Sequence, residues 1–391
     1  MLTEFFNEIS SNNYPYIWPI IASVLGYVFC LAAIPSILFV SHEKQLVAKP
    51  EERSSHRKPT PTLGGVAIYL SLMLVMTFIG AFWDTKIILL VMGGITILFF
   101  FGLKDDLANI SVFAKVLGQL AAIGLLIFLV DTRITSFSGI FGIHDLGYLP
   151  SALLTFFVFI LLINAFNLID GIDGLAGGVA LSSSLVLGVL SYLESQFTIS
   201  VISAAMFGAI VAFLRFNFSV ERKLFMGDTG SLVIGYVMAF LTIRFIHSEQ
   251  YDTGMHYYSS APIIAFALMF YPIADTARVF FLRLFKYKRN PFTADRNHIH
   301  HHFTNLGYSH KRSSAYIVAI NLAIVSIAFL LRNLNINIQL IALLIYGPLL
   351  YSSTFAVRKV KDKVRQRNKK PKMEQKKRST KRFKSKAPSH Y

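Results

Sequence analysis

The sequence predicts an all-α, polytopic integral membrane protein. Of its 391 residues, 54% are hydrophobic and only 15% are charged, which is too small a charged fraction to cover the surfaces of several soluble domains. Apolar runs of roughly 17–25 residues, each long enough to cross a bilayer, recur from one end of the chain to the other. Backbone polar groups in lipid must be satisfied within their own segment, so these runs are predicted to be helices.

The apolar runs predict ten or eleven transmembrane helices. Two of the runs are weaker than the others, because 112–130 contains Lys115 and 230–246 contains Arg244 near one end. The eleven predicted helices span residues 16–40, 63–83, 87–103, 112–130, 148–166, 175–193, 196–215, 230–246, 257–281, 314–331 and 337–356.

Basic residues are distributed unevenly between the two sides of the predicted membrane. With eleven crossings, 34 of the 38 lysines and arginines lie on the side of the C-terminus and four on the other side. Because cytoplasmic loops carry the excess of basic residues, the C-terminus is predicted to be cytoplasmic and the N-terminus external. This orientation places in the cytoplasm the loops 41–62, 104–111, 167–174, 216–229 and 282–313.

Three parts are expected along the chain. An external segment, 1–15, precedes a transmembrane catalytic domain, 16–356, and its acidic residues Glu4 and Glu8 argue against a cleaved signal peptide. The tail 357–391 has sixteen basic and two acidic residues, so it is predicted to be disordered. We expect the tail to lie on anionic lipid headgroups and to have no specific nucleic-acid target.

Asp105 and Asp106 are adjacent at the end of the third apolar run. Neighbouring carboxylates at a membrane edge repel each other, so keeping both ionised requires a cation; the alternative is a solvated loop beside Lys104. Lys115 follows nine or ten residues later, a spacing that can return its ammonium to the same face at the start of the next helix. The pair is therefore a candidate cation-binding or substrate-binding motif.

A second acidic motif follows the run 148–166. Asn164, Asn167 and Asp170 are spaced i, i+3 and i+6 and are expected on one helical face, and glycines after Asp170 and Asp173 let the backbone turn tightly. Oxygen ligands with open access are suited to Mg²⁺, which keeps several waters and uses few protein carboxylates. The motif therefore predicts Mg²⁺ binding, with Mn²⁺ as a possible substitute.

Two further motifs occupy 225–231 and 295–302. Asp228, Thr229 and Ser231 precede an apolar helix and can cap it, and the free N–H groups of a helix start also attract phosphate. Residues 295–302 contain four histidines in five positions, which could bind a transition metal or donate hydrogen bonds to phosphate or sugar oxygens. Nearby carboxylates and the lack of cysteine in these motifs favour Mg²⁺ for the main site. The basic loop around the histidines is suited to an anionic substrate.

One polar pair lies inside an apolar run. Pro272 is predicted to kink the run 257–281, and Asp275 and Arg278 follow one turn later at i and i+3. We predict that these two side chains form a buried ion pair near the cytoplasmic end.

Together these motifs resemble those of the polyprenyl-phosphate N-acetylhexosamine-1-phosphate transferase family, glycosyltransferase family 4. The similarity covers about residues 53–321; it begins with Arg57-Lys58-Pro59-Thr60-Pro61-Thr62-Leu63-Gly64-Gly65 and continues through the four motifs in the family's order. The resemblance implies transfer of a sugar-1-phosphate from a UDP-sugar to a membrane polyprenyl phosphate, with release of UMP. His-Ile-His-His-His after Asp-Arg-Asn resembles the branch that transfers GlcNAc-1-phosphate to undecaprenyl phosphate at the bacterial cytoplasmic membrane and initiates lipid-linked cell-envelope polysaccharides.

The resemblance also implies roles for matching residues. Asp105 and Asp106 would serve the acceptor phosphate, one of them as general base or, alternatively, as covalent nucleophile. The Mg²⁺ ligands would be Asn167 and Asp228. The other catalytic residues would be Lys115, which holds a diphosphate oxygen, Asp170, His300 and His301. The substrate-binding residues would be Lys58, Asp173, Asn217 and Phe225, which match residues that bind or stack on uridine, and Arg296, His298 and His302. The spacing from Asn217 to Asp228 differs by one residue from some members.

A direct in-line displacement is the expected mechanism. A phosphate monoester is already mostly ionised at pH 7, so neutralising the charge between two anions matters more than a strong base. The expected partners are a UDP-N-acetylhexosamine, undecaprenyl phosphate, membrane lipid and, from the resemblance alone, a second copy of the chain.

Two alternatives stay open. One is the related transferase that uses UDP-MurNAc-pentapeptide in peptidoglycan synthesis. The other is an ion or sugar transporter, a class that places its ionisable residues near the bilayer midplane. Only Asp275 and Arg278 approach that depth in the predicted topology, so the transporter is disfavoured.

Overall fold

The computed structural model describes residues 16–48, 59–82, 85–248, 260–288 and 298–352, and most of them are helical. The predicted external segment 1–15 and the basic tail 357–391 lie outside the described residues. In chain order the elements are α1 (Ile17–Glu43), β1 (Val47–Ala48), β2 (Thr60–Pro61), α2 (Gly64–Gly80), α3 (Thr85–Ala108), α4 (Val112–Val130), α5 (Tyr148–Ile169), α6 (Leu175–Leu193), α7 (Phe197–Asn217), α8 (Gly227–Ser248), α9 (Ala261–Leu268), α10 (Phe270–Phe281), α11 (Ile299–Asn305), α12 (His310–Leu330) and α13 (Ile336–Ser352).

Each apolar run falls on one of these helices or, for 257–281, on the pair α9 and α10. Among the described residues, eight helices are long and apolar enough to cross a bilayer, namely α1, α3 to α8 and α12. Helices α2 and α13 are shorter, and the α9–α10 pair is bent by 66°. The fold is therefore that of a multi-pass membrane protein, while eleven crossings with an external N-terminus stay a prediction.

Several helices extend beyond the predicted apolar runs, and two of these extensions, in α3 and α8, carry site residues. α3 continues through Asp105 and Asp106 to Ala108, and α8 begins at Gly227, so that Asp228 lies in its first turn. The expected loops 104–111 and 216–229 are accordingly shorter than predicted. These acidic side chains are carried on helix ends, which fix their positions more firmly than open loops would.

The break between α9 and α10 has a local cause. Pro272 has no N–H to donate to the carbonyl of Leu268, so that helical hydrogen bond is missing and the chain bends near Met269. Asn321 of α12 satisfies both freed backbone groups: its Nδ2 donates to Leu268 O at 3.0 Å, and its Oδ1 accepts from Tyr271 N at 3.1 Å. The predicted kink is confirmed, and a side chain from another helix completes it.

Helix α8 is the most buried of the long helices and packs against α2, α3, α5 and α6. The first turn of α8 lies close to the backbones of α2 and α3, in each case at a glycine. A Cβ on Gly65 of α2 would collide with the backbone of Gly230, and a Cβ on Gly102 of α3 would lie 2.5 Å from Thr229 Cα. Only glycine permits these approaches, so the ends of α2, α3 and α8 converge at one point.

We expect Gly102→Ala to destabilise the protein by about 1–3 kcal/mol, the usual cost of inserting a methyl group into closed packing. The added methyl group must push α3 away from the start of α8, so activity should fall with stability. Thermal unfolding in detergent measures the effect. Gly124→Ala is the matched control, because its new Cβ would meet Phe128 at an ordinary 3.5 Å. Equal unfolding temperatures for the two variants would contradict the expectation.

A short antiparallel pair positions the segment that precedes α2. Val47 pairs with Pro61 and Ala48 with Thr60. The backbone then connects to the segment before α8, because Phe225 N donates to Pro61 O and Gly64 N donates to Phe225 O, both at 2.8 Å. The first motif of the family resemblance is therefore adjacent to the third.

Candidate active site

A polar cavity of about 310 Å³ opens where the ends of α3, α5 and α8 meet. Seven of its lining residues are predicted site residues, and these include six of the seven predicted carboxylates and amides, all except Asp105. The residues that line it are Thr62, Asp106, Asn167, Asp170, Gly171, Ile172, Asp173, Asn217, Phe225, Met226, Gly227 and Asp228. The structure thus gathers residues that are up to 166 positions apart in sequence into one site.

Asp106 binds the beginning of α8 from outside that helix. Its Oδ1 accepts a hydrogen bond from Asp228 N at 2.8 Å, and its Oδ2 accepts from Thr229 N at 3.0 Å and Thr229 Oγ1 at 2.5 Å. These N–H groups belong to the first turn of a helix, where no intrahelical acceptor is present. Asp106 of α3 thus supplies the cap that the sequence assigned to the polar residues of α8 itself.

Lys115 joins the two acidic motifs. Its Nζ lies 2.5 Å from Asp105 Oδ2 and 2.5 Å from Asp228 Oδ2. The predicted return of Lys115 to the face of the aspartate pair is therefore confirmed. Asn167 completes the cluster, because its Nδ2 donates to Asp228 Oδ1 at 2.8 Å and to Ser231 Oγ at 2.9 Å.

Asp170 follows the last residue of α5 and faces the same cavity. Burial raises the pKa of its carboxyl well above the usual range, and the negative charges of Asp228 and Asp106 raise it further. The region around Asp170 is therefore short of positive charge, a condition that a bound cation would relieve.

The donor set suits a hard divalent cation that keeps much of its water. Within the described residues, no group of three or more His, Cys, Asp or Glu side chains converges as a metal cage. Mg²⁺ does not require one, because one or two carboxylates with substrate phosphates and water are sufficient. Asp228 and Asp170 offer carboxylate oxygens and Asn167 an amide oxygen, so these residues fit the predicted Mg²⁺.

We expect Asp170→Asn to stabilise the metal-free protein by about 1–2 kcal/mol at neutral pH, because it removes a carboxylate that is costly to ionise in place. The raised pKa means that the folded state binds this proton more tightly than the unfolded chain. The advantage of the variant should appear above the ordinary aspartate pKa of about 3.9 and grow until the folded-state pKa is passed.

Thermal unfolding with EDTA across this pH range measures the difference, and Mg²⁺ should reduce it. The exposed Glu221→Gln is the control carboxyl substitution. A variant whose advantage over wild type does not change with pH would show that Asp170 ionises normally.

Asp173 is bound from two sides. Its Oδ2 lies 2.6 Å from Lys223 Nζ and 3.1 Å from His310 Nδ1. Burial alone would raise the pKa of Asp173, but the hydrogen bonds from His310 and Lys223 outweigh burial and hold the pKa below its usual range. Asp173 is therefore ionised and fixed in place at the edge of the cavity.

Asn217 and Phe225, predicted to contact uridine, both line the cavity. The amide of Asn217 is engaged by backbone: its Oδ1 accepts from Gly174 N at 2.7 Å and its Nδ2 donates to Leu224 O at 2.9 Å. Asn217 thus ties the Asp170–Gly174 turn to the segment before α8. The ring of Phe225 lies 5.5 Å below the Lys223 ammonium.

The histidine segment forms α11 and packs beside the cavity. His298 and His300 are buried, and their rings stack with centroids 5.5 Å apart. The ring of His300 lies against Gly171, where a Cβ would collide with it. His302 Nε2 lies 3.4 Å from Arg278 Nη2. Lys58, Arg296 and the side chain of His301 lie outside the described residues.

Asp275 connects the histidine segment to two other helices. Its fully buried carboxylate accepts hydrogen bonds from His298 Nδ1 at 2.8 Å, Ile299 N at 3.0 Å and Tyr351 OH at 2.9 Å. The sequence placed Asp275 only beside Arg278. It gave no signal for Tyr351, 76 residues away.

Lys223 and His310 are the other residues that the sequence analysis did not assign. Both contact Asp173 at the edge of the cavity. Lys223 could have been suspected, because it is a basic residue two positions before the predicted uridine contact Phe225. His310 lies outside every motif, and nothing in the sequence distinguishes it from a surface residue at a helix start.

The fold and this cluster define a multi-pass membrane protein with a polar site at its helix ends. Residues 88–246 match the family profile of glycosyl transferase family 4. Decaprenyl-phosphate N-acetylglucosaminephosphotransferase of Mycolicibacterium smegmatis is 30% identical over 289 residues, 68% of this chain and 70% of the relative. This chain therefore belongs to glycosyl transferase family 4 and is a transferase, as its motifs predicted.

Other relatives carry a closely related name. The undecaprenyl-phosphate alpha-N-acetylglucosaminyl 1-phosphate transferase of Escherichia coli K12 is 28% identical over 296 residues, 74% of this chain and 78% of the relative. The protein of the same name from Salmonella typhi is 27% identical over 276 residues, 70% of this chain and 72% of the relative.

Proposed function

We propose that this protein transfers N-acetylglucosamine-1-phosphate from UDP-GlcNAc to undecaprenyl phosphate and releases UMP. The observation that carries the proposal is the Asp105–Lys115–Asp228–Asn167 cluster beside an acidic cavity, in a chain whose relatives are named for this reaction. The phosphate of a membrane lipid and a soluble nucleotide sugar can meet at helix ends, which lie where the membrane meets water.

The reaction joins two anions. An oxygen of the acceptor phosphate forms a bond to the phosphorus that bears the sugar, and the bond from that phosphorus to the bridging oxygen breaks, so UMP leaves with the electron pair. The acceptor is mostly ionised at pH 7 and needs little help from a base. Positioning and charge neutralisation are therefore the main requirements on the protein.

The residues around the cavity meet these requirements. Asp228, Asn167 and Asp170 would hold Mg²⁺, which supplies positive charge to the diphosphate of the donor. Lys115 donates to a phosphate oxygen. Phe225 offers a ring and Asp173 an ionised carboxylate to the nucleoside end of the cavity.

The hydrogen bonds of the aspartate pair support direct displacement. Both oxygens of Asp106 accept hydrogen bonds from the start of α8. Asp105 Oδ1 accepts from Ile110 N at 2.7 Å and its Oδ2 contacts Lys115. Each oxygen of the two carboxylates therefore already has a hydrogen-bond or ion-pair partner, which supports direct displacement. Incubation with UDP-GlcNAc labelled in the β-phosphate and without lipid should leave the protein unlabelled; a covalent phosphoglycosyl-enzyme would overturn direct displacement.

The decisive assay measures UMP release by the purified protein with undecaprenyl phosphate, Mg²⁺ and one of two donors. We expect release with UDP-GlcNAc and none with UDP-MurNAc-pentapeptide. Omitting the lipid, or adding EDTA, should stop the reaction. Release with the peptide donor alone would assign the protein to the other branch, and no release with either would reject the transferase function in this form.

We further propose that the site faces the cytoplasm, on the basis of the distribution of basic residues. Lys86 and Lys104 are exposed near opposite ends of α3, which makes them a matched pair. With Cys30 replaced by Ser, a membrane-impermeant thiol reagent applied to intact cells should label Lys86→Cys and leave Lys104→Cys unlabelled until the membrane is opened. The reverse pattern would invert the topology.

A further inference from the structure

We propose that Lys115 and the divalent cation alternate as partners of Asp228, so that metal binding releases the Lys115 ammonium to bind a substrate phosphate. This inference rests on the proposed function, because it assumes that Asp228 belongs to the cation site. It adds a coupling between two ligands, the metal and the phosphate, through one lysine side chain.

The first observation is that Asp228 has no oxygen without a donor. Lys115 Nζ lies 2.5 Å from its Oδ2, and Asn167 Nδ2 lies 2.8 Å from its Oδ1. A cation that binds the Asp228 carboxylate therefore competes with one of these two donors for the same oxygen.

Lys115 is the donor that must leave. Asn167 can rotate its amide and present Oδ1 to the same cation, so it changes from a donor to a ligand without losing its place. An ammonium has no lone pair to offer, and it is repelled by a divalent ion at contact distance. The two positive charges therefore compete for Asp228 Oδ2.

Asp105 keeps the released ammonium in the site. Lys115 Nζ is 2.5 Å from Asp105 Oδ2, and this carboxylate is fixed by the hydrogen bond from Ile110 N. An ammonium has three donor hydrogens on a flexible stem, and the side chain of Lys115 is 22% exposed. Held by Asp105 alone, it has two donors available for a phosphate oxygen, compared with one while it bridges the two carboxylates.

Two consequences follow from this exchange. Removing the ammonium should tighten metal binding, because the metal no longer has to displace it. Metal and phosphate should also bind cooperatively, because each favours the arrangement in which Lys115 has left Asp228, and such coupling is reciprocal.

The first test measures Mn²⁺ affinity of the purified protein without substrate, from the electron paramagnetic resonance signal of free Mn²⁺. Lys115→Met should bind Mn²⁺ about tenfold more tightly than wild type, the effect of removing one charged hydrogen bond from the ligand. Lys115→Gln serves as a second neutral variant in case the first folds poorly. Lys104→Met is the matched control, since Lys104 is an exposed lysine that immediately precedes Asp105 in the sequence.

Unchanged or weaker Mn²⁺ binding by both Lys115 variants would overturn the proposal. An equal increase in Mn²⁺ affinity for Lys104→Met would also overturn it, because that increase would reflect the loss of one positive charge in general and not the release of Asp228 from Lys115.

The second test measures UMP affinity with Mg²⁺ and with EDTA. Lys115→Met should lose affinity for UMP about tenfold in Mg²⁺ and little in EDTA, where the wild-type ammonium is still bound to Asp228. An equal loss in both conditions would mean that Lys115 binds phosphate independently of the metal, and the alternation would be wrong. Wild-type UMP release in the transfer assay separates the two proposals: if it occurs while these tests fail, only the alternation falls.

Discussion

Asp228→Asn is expected to lower UMP release by about 100-fold or more while the protein still folds and inserts. The substitution removes the charge that attracts the cation and that pairs with Lys115, and losses of this order follow when a group that stabilises developing charge is removed. The shape of the side chain is retained, so Asn167 can still donate to an oxygen at this position. Steady-state UMP release, with UDP-GlcNAc and undecaprenyl phosphate varied in turn, measures the effect.

Glu221→Gln is the control for Asp228→Asn. It removes one carboxylate from the segment before α8, but its side chain is exposed and lies outside the cavity lining. It should retain nearly full activity. Near-normal turnover by Asp228→Asn, or an equal loss in the control, would exclude Asp228 from the metal site.

Asp106→Ala is expected to lower both stability and activity. The stability loss should be about 1–3 kcal/mol, because two backbone N–H groups and the Thr229 hydroxyl lose their acceptor at once. Activity should be nearly abolished, since Asp228 is the residue whose N–H Asp106 holds. Thermal unfolding and UMP release measured on the same preparation test both parts.

Thr229→Val distinguishes capping by Asp106 from a role as general base. It removes only the hydroxyl donor and leaves both N–H contacts, so its stability loss should be a fraction of that of Asp106→Ala. If Asp106→Ala unfolds at the wild-type temperature but is inactive, Asp106 acts on the substrate and does not serve mainly as a cap.

The positions of the helices could be predicted from the sequence because membrane insertion depends on composition over a window of about twenty residues. Apolar runs therefore located every long helix to within a few residues. Near Asp105 and Asp228 the observed helix ends differ from the predicted ones, because a contact between Asp106 and Thr229 extends both helices. These two residues are separated by 123 positions. No local pattern reports such a contact.

The sequence likewise identified some features of the candidate site and missed others. Asp170 and Asp228 could be identified because they lie at the ends of apolar runs, where a charged side chain needs a partner. Which of the two adjacent aspartates binds α8, and which one binds Lys115, depends on the rotation of α3 about its axis. The sequence cannot determine that rotation, because both aspartates end the same turn.

The close approach of Gly65 to Gly230 determines which side of the cavity can yield. Where two backbones touch without intervening side chains, neither helix can pivot inward or slide past the other without a collision. The part of the cavity wall that carries Asp228 is therefore rigid. We therefore expect the start of α8 to keep its position when substrate binds, so that any widening of the cavity comes from its other walls.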